Sequence, residues 1–218
     1  MALEGHRGVF ITFEGVEGSG KSTQASRLAE ALAERGHDVT LTREPGGTPL
    51  GERLRQILLD LGERGMTQEA ELFLYLASRS EHVASVVEPA LSRGGVVIAD
   101  RFGDASVAYQ GGGRSLGAAL VERLNEVATR RVKPDVTFLL DLDPGTGLSR
   151  LSRRGSGEKD RIESEEVAFH ERVRDTYLRS AEREPERFVV LDGALDADSL
   201  ARLVMAEIDK LLESRRKG

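Results

Sequence analysis

The sequence contains no cysteine, which excludes disulfides, thiolate zinc sites and a cysteine nucleophile. No apolar run approaches the roughly 18 residues of a membrane span. The opening stretch MALEGHRGVF lacks the apolar core of a signal peptide. A soluble, cytoplasmic protein is expected. An excess of positive charge is also missing: Lys plus Arg is 31 against 37 for Asp plus Glu, a formal net charge of −6. That argues against a nucleic-acid or anionic-membrane partner. Lysine itself is scarce, 5 residues against 26 arginines. Arginine is the planar, bidentate partner of phosphate and carboxylate, although a codon bias would give the same count. The four histidines, His6, His37, His82 and His170, match no metal-ligand spacing and are expected on the surface or in packing.

A length of 218 residues fits a single domain over 1–218. Short runs rich in β-branched or aromatic residues, Val9–Phe13, Val39–Leu41, Val96–Ala99, Val136–Leu142 and Phe188–Leu191, read as strands buried on both faces. Amphipathic helices lie between them. Leu50, Leu54, Ile57, Leu58 and Leu61 form one apolar stripe; Leu200, Leu203, Val204, Ile208 and Leu211 form another. Thr48 and Pro49 suit an N-cap and first helical turn. The alternation predicts an α/β fold with a mostly parallel five-stranded sheet flanked by helices. Gly111-Gly112-Gly113-Arg114 reads as a loop, and the charged segment 153–161 as a loop between two helices.

The first strand runs into Gly15-Val16-Glu17-Gly18-Ser19-Gly20-Lys21-Ser22, which is G-x-x-x-x-G-K-[ST] between a strand and a helix. With this chain's own residue frequencies, a chance match somewhere is on the order of 1%. Converging backbone amides and the helix N-terminus would cradle phosphates. Lys21 would reach the β/γ-phosphates and the Ser22 hydroxyl a Mg²⁺ ion. Asp100, at the end of a strand, suits the same ion or its water shell, and Arg101 follows it at the edge where α/β ligands bind. The Asn/Thr-Lys-x-Asp sequence of guanine readers is absent. A kinase of nucleoside monophosphates or small metabolites, and a protein that binds ATP without transferring it, both fit the loop. Further arginines for an acceptor favour the kinase.

Five ordered segments resemble bacterial thymidylate kinases: Phe13-Glu14-Gly15-Val16-Glu17-Gly18-Ser19-Gly20-Lys21-Ser22-Thr23, Thr42-Arg43-Glu44-Pro45-Gly46-Gly47-Thr48, Asp100-Arg101-Phe102, Ala108-Tyr109-Gln110-Gly111 and Asp160-Arg161-Ile162-Glu163. The resemblance implies a P-loop fold, Mg²⁺-dependent transfer of the ATP γ-phosphate to dTMP, and a homodimer. ATP would be held by residues 15–23. The resemblance puts Arg43 and Arg101 on the dTMP phosphate and Arg79 on the thymine carbonyl edge. It puts Tyr75 under the base, where relatives commonly have Phe, and Glu17 on the 3′-hydroxyl. Tyr109 would face the sugar 2′ position and Gln110 the pocket rim. Many relatives have Ser at the fifth position after the Asp of Asp-Arg; here Ala105 is followed by Ser106, which becomes the candidate hydroxyl.

One class of this family carries a catalytic Arg in the P-loop and the other in a lid. The loop position here is Gly18, so the lid class is the better match. The lid spans about 150–161 and holds Arg150, Arg153, Arg154 and Arg161. Arg153 or Arg154 is expected on the transferring phosphate, with Arg150 or Arg161 assisting on ATP. Asp160–Glu163 is expected to restart a helix. The apolar helix around Leu72–Ala77 is a candidate for part of the dimer interface.

Overall fold

In β1 (Val9–Glu14), Val9, Ile11 and Phe13 alternate with Phe10 and Thr12, and all are buried. A strand's period of two sends these sets to opposite faces, so the sheet needs helices on both sides. The computed structural model describes residues 8–63, 65–153 and 160–217. Among them, β1, β2 (Val39–Arg43), β3 (Val96–Asp100), β4 (Val136–Asp141) and β5 (Phe188–Asp192) form a parallel sheet in the order β2-β3-β1-β4-β5. All five expected strands are present. β1, β2, β3 and β5 extend one or two residues further than expected, to Glu14, Arg43, Asp100 and Asp192, and β4 stops one short, at Asp141.

The helices are α1 (Lys21–Glu34), α2 (Pro49–Leu59), α3 (Gln68–His82), α4 (Glu88–Ser92) and α5 (Gly103–Ser106). They continue with α6 (Ala118–Ala128), α7 (Pro144–Arg153), α8 (Val167–Arg183) and α9 (Ala197–Lys217). Leu28 and Leu32 of α1 and Val204 and Ile208 of α9 pack on the face of Val9, Ile11 and Phe13. Val83, Val87 and Leu91 cover Phe10 and Val97 on the other face. Thr12 and Thr137 share a buried hydrogen bond of 2.8 Å across β1 and β4. Thr137 Oγ1 also accepts from Arg187 Nη1 at 2.7 Å, so both buried hydroxyls have partners.

Three expectations are corrected. The stripe on α2 does not face the core: Leu58 is fully buried, but Leu50 and Ile57 are exposed and Leu61 lies in a short 3₁₀ turn. The cap itself forms, with Thr48 Oγ1 accepting from Gly51 N at 2.9 Å and Pro49 in the first turn. The glycine run is not a loop. Residues Val107–Gly113 are a wide-turned π-helical continuation of α5, and the glycines let it touch α8. A Cβ on Gly112 would lie 2.0 Å from Thr176 Oγ1, and one on Gly113 2.6 Å from the Phe169 ring. Asp160–Glu163 forms a turn, with Asp160 Oδ1 accepting from the amides of Ile162 and Glu163. The helix starts later, at Val167.

Every strand ends on a charged residue, Glu14, Arg43, Asp100, Asp141 or Asp192, at the same edge of the sheet. Asp100 pairs in register with Arg43 on one side and Phe13 on the other. Charged side chains therefore gather where an open α/β sheet binds ligands.

Candidate active site

The loop from Gly15 to Ser22 is shaped by two glycines. Gly15 (φ 137°) passes the Leu140 carbonyl, 2.5 Å from where a Cβ would lie; Gly18 (φ 70°) passes the Gly147 carbonyl at 2.2 Å. A side chain at Gly18 would therefore collide with the backbone of α7. The loop ends in the first turn of α1, whose amides have no intrahelical partner and point at an incoming anion. Lys21 Nζ folds back to donate to Val16 O at 2.8 Å and Ser19 Oγ at 3.3 Å. Burial, with the neighbouring Arg101 charge, lowers its pKa to about 8, against the opposing pull of Asp100, Glu17 and Glu14.

Ser22 Oγ donates to Asp100 Oδ2. Among the described residues no cluster of three or more His, Cys, Asp or Glu could hold a metal by itself. One hydroxyl and one carboxylate nevertheless fit Mg²⁺, which keeps several waters and takes its remaining ligands from substrate phosphates.

Arg101 adopts a left-handed backbone (φ 72°), which is uncommon for a residue with a side chain. Nη2 donates to Glu17 Oε1 at 2.7 Å and Tyr109 OH at 3.0 Å; Nη1 donates to Gly15 O at 3.0 Å and Tyr177 OH at 3.3 Å. Tyr109 OH donates to the same Glu17 oxygen at 2.6 Å. Burial opposes the charge on Glu17, but Arg101, His170 and Lys21 hold its carboxyl well below the usual range. Glu14, three residues earlier, behaves oppositely. It accepts from Phe102 N and Tyr177 OH, both at 2.7 Å. Burial and the Asp104 charge push its pKa up to about 7, against Arg101 and these hydrogen bonds.

Glu17, Arg43, Tyr75, Arg79, Arg101, Ser106, Tyr109 and Gln110 line one cavity together with Gly18, Lys21, Ser22 and Asp100. The two sets of residues separated in sequence thus meet across a single space. Arg43 is half-exposed and paired with Glu52 at 2.9 Å. Arg79 is almost wholly enclosed: Nε donates to Glu44, Nη1 to Ser106 and Asn125, and Nη2 to the Phe102 carbonyl. A guanidinium has five N–H groups, so one is left for a ligand. Ser106 therefore supports Arg79 as well as lining the cavity.

The four lid arginines do not share a fate. Arg150 Nη1 donates to Gly193 O at 2.8 Å and Gly18 O at 3.4 Å, tying the phosphate loop to the turn after β5. Arg153 is exposed at the end of α7. Arg154 lies outside the described residues. Arg161 is buried, donating to Glu71 Oε2 at 2.6 Å and Leu58 O at 2.8 Å, while its Nη2 has no partner among the described residues. Sequence reasoning missed Glu14, Glu44, Glu71, Asn125, Tyr177 and Arg55, which lines the cavity and donates to the Pro45 carbonyl at 3.0 Å. A carboxylate ending an otherwise apolar strand was a readable signal for Glu14. Asn125 and Tyr177 carry none, because helical periodicity cannot name a partner on another element.

The raised pKa of Glu14 has a consequence for stability. A folded value of about 7 against 4.5 for the free group means that the native state binds this proton more tightly than the unfolded chain. The stabilisation is complete below about pH 4.5 and is lost as pH rises through 7. Between pH 5 and 8 the Tm of the wild type should fall relative to that of Glu14→Gln. Parallel Tm profiles would show that Glu14 keeps one charge state throughout.

Comparison with known proteins bears on the same residues. A family model described as Thymidylate kinase matches residues 13–204. A thymidylate kinase of Oleidesulfovibrio alaskensis is 52% identical over 205 residues, covering 92% of this chain and 97% of the relative. One of Solidesulfovibrio magneticus is 51% identical over 209 residues, covering 94% and 100%. A crystal structure of thymidylate kinase from Ehrlichia chaffeensis superposes with a TM-score of 0.73 at 35% identity, covering 94% of this chain and 98% of that one. With a phosphate loop and an arginine-lined second pocket sharing one cavity, and with these matches over most of its length, the chain belongs to the thymidylate kinase family.

Proposed function

We propose that this chain, as one domain in the cytoplasm, transfers the γ-phosphate of ATP to dTMP, giving dTDP and ADP. The observation that carries this reading is the cavity shared by Lys21, Ser22 and Asp100 with Arg43, Arg79 and Arg101. A protein that only bound a triphosphate would have no use for that second cationic set. ATP lies along residues 15–23, its phosphates on the amides of the first turn of α1, with Arg150 beside the loop. The dTMP phosphate, with about two negative charges, lies between Arg43 and Arg101, which meets it with its charge and with the Nε–H left over from its four protein contacts. Tyr75 underlies the base and Arg79 meets its carbonyl edge. Glu17 faces the sugar rather than the phosphates, because Arg101 and Tyr109 both hold its Oε1. The Tyr109 ring, with the Arg101 guanidinium 4.8 Å from its centre, closes the 2′ side.

Ser22 and Asp100 would hold Mg²⁺, which would offset the negative charge of the phosphates. The steric closure of Gly18 by Gly147 supports supply of the transition-state arginine from the lid. Such arginines are worth roughly 10³–10⁵ in rate. The decisive assay offers MgATP with a panel of monophosphates and follows ADP against a hydrolysis control; dTMP should be the fastest acceptor, and a faster dUMP, AMP or CMP would overturn the substrate assignment. Arg153→Ala/Arg154→Ala should lower kcat at least a hundredfold with little change in dTMP affinity, whereas near-normal turnover would remove the lid from the mechanism.

The homodimer would form on the outer face of α3. Leu72 and Leu76 point inward and are buried, while Phe73 is 59% exposed, and Leu50 and Ile57 of the adjoining α2 are exposed as well. Exposed apolar residues in such a group mark interaction surfaces. Sedimentation of the wild type should give a dimer and that of Phe73→Glu a monomer; a wild-type monomer would refute the assignment.

A further inference from the structure

Glu71 belongs to no part of the reaction described above, yet it is buried to 1% exposure in the first turn of α3. Its Oε1 accepts from Gln110 Nε2 at 2.8 Å, and its Oε2 from Arg161 Nη1 at 2.6 Å and Arg114 Nη2 at 3.0 Å. Arg114 Nε reaches both oxygens, at 3.2 and 3.3 Å. Burial opposes its charge, but these partners hold the carboxyl below its usual range, so Glu71 remains ionised. The carboxylate cannot turn away, because Arg161 is fixed in its place by the Leu58 carbonyl and by its own amide on Leu59 O.

Gln110 lines the cavity beside Tyr75, Arg79 and Ser106. A side-chain amide can present either its oxygen or its NH₂, and only its partners decide which. An ionised carboxylate accepts and never donates. The NH₂ of Gln110 must therefore face Glu71, which leaves the carbonyl Oε1 for the cavity.

We infer that Glu71 is a positioning residue for base selection: its buried carboxylate, locked by Arg114 and Arg161, forces Gln110 to offer the pocket an acceptor. Thymine presents an N3–H donor between two carbonyls, which complements that acceptor and the donor on Arg79. Cytosine presents a bare N3 acceptor and an amino donor, and opposes both. The inference rests on the proposed dTMP reading and adds the residue that fixes the polarity of the base pocket.

The test is Glu71→Gln, read as the ratio of kcat/KM for dTMP to that for dCMP. In this variant the guanidiniums of Arg114 and Arg161 claim the new amide's oxygen, so its NH₂ faces Gln110. Gln110 then turns over and offers NH₂ to the cavity. The dTMP/dCMP ratio should fall about tenfold, the effect of one reversed hydrogen bond, with the KM for ATP unchanged. The swap E71Q/Q110E moves the anion to position 110, keeps an oxygen toward the base, and should restore the ratio. Equal loss on both substrates, with the ratio kept, would reduce Glu71 to a scaffold and overturn the inference; so would a swap that fails to restore a lost ratio. If E71Q does not fold, the swap is read against Gln110→Leu. Selectivity kept in the swap and lost in Q110L supports the inference, and selectivity lost in the swap overturns it. A wild-type enzyme with no preference for dTMP over dCMP refutes the substrate reading itself and this inference with it.

Discussion

The site depends on one guanidinium. Arg101 leaves β3 in a left-handed turn and spends the four N–H groups of its two terminal nitrogens on Gly15, Tyr177, Glu17 and Tyr109. Two of those partners belong to the phosphate loop, one to the π-helical segment after α5 and one to α8. The donor half and the acceptor half of the cavity are thereby held in fixed relation. Phosphoryl transfer has little covalent chemistry for a protein to perform and relies on positioning and charge, so a rigid tie between the halves is the feature the fold most needs.

The same tie sets the electrostatics. Glu14 and Glu17 are three residues apart, and both are buried near Arg101. Glu17 takes the guanidinium directly and stays ionised; Glu14 meets it only through Tyr177, lies beside Asp104, and holds its proton to about pH 7. Burial disfavours both charges, and the presence of a direct cationic partner separates the outcomes. Removing either carboxylate's partners would leave an uncompensated polar group inside, which is costly.

The acceptor side follows a second pattern, in which buried carboxylates hold the side chains that meet the ligand. Glu44 fixes Arg79, and its other oxygen pairs with His82, whose Nε2 meets Thr42 at 2.7 Å. Glu71 fixes Gln110 in the same manner. The arginine excess is thus partly structural: Arg79, Arg114, Arg161 and Arg187 all sit in internal ion pairs. Arg187 joins Asp104 of α5 to the start of β5 and does not line the cavity.

By itself the sequence determined the strands, the phosphate loop and the cap at Thr48, while the resemblance to a family supplied most of the acceptor-side cavity residues. These are local signals: a period of two, a fixed motif spacing, a hydroxyl before a proline. It misread the glycine run and the α2 stripe, since glycine is as compatible with close helix contact as with a loop, and an apolar stripe looks the same whether it faces the core or another surface. Only the tertiary structure decided that Arg161 pairs with Glu71, that Gly147 closes the space at Gly18, and that Gln110 turns its amide nitrogen to Glu71. Each of those depends on partners about 40 to 130 residues away, a distance at which spacing along the chain carries no information about contact.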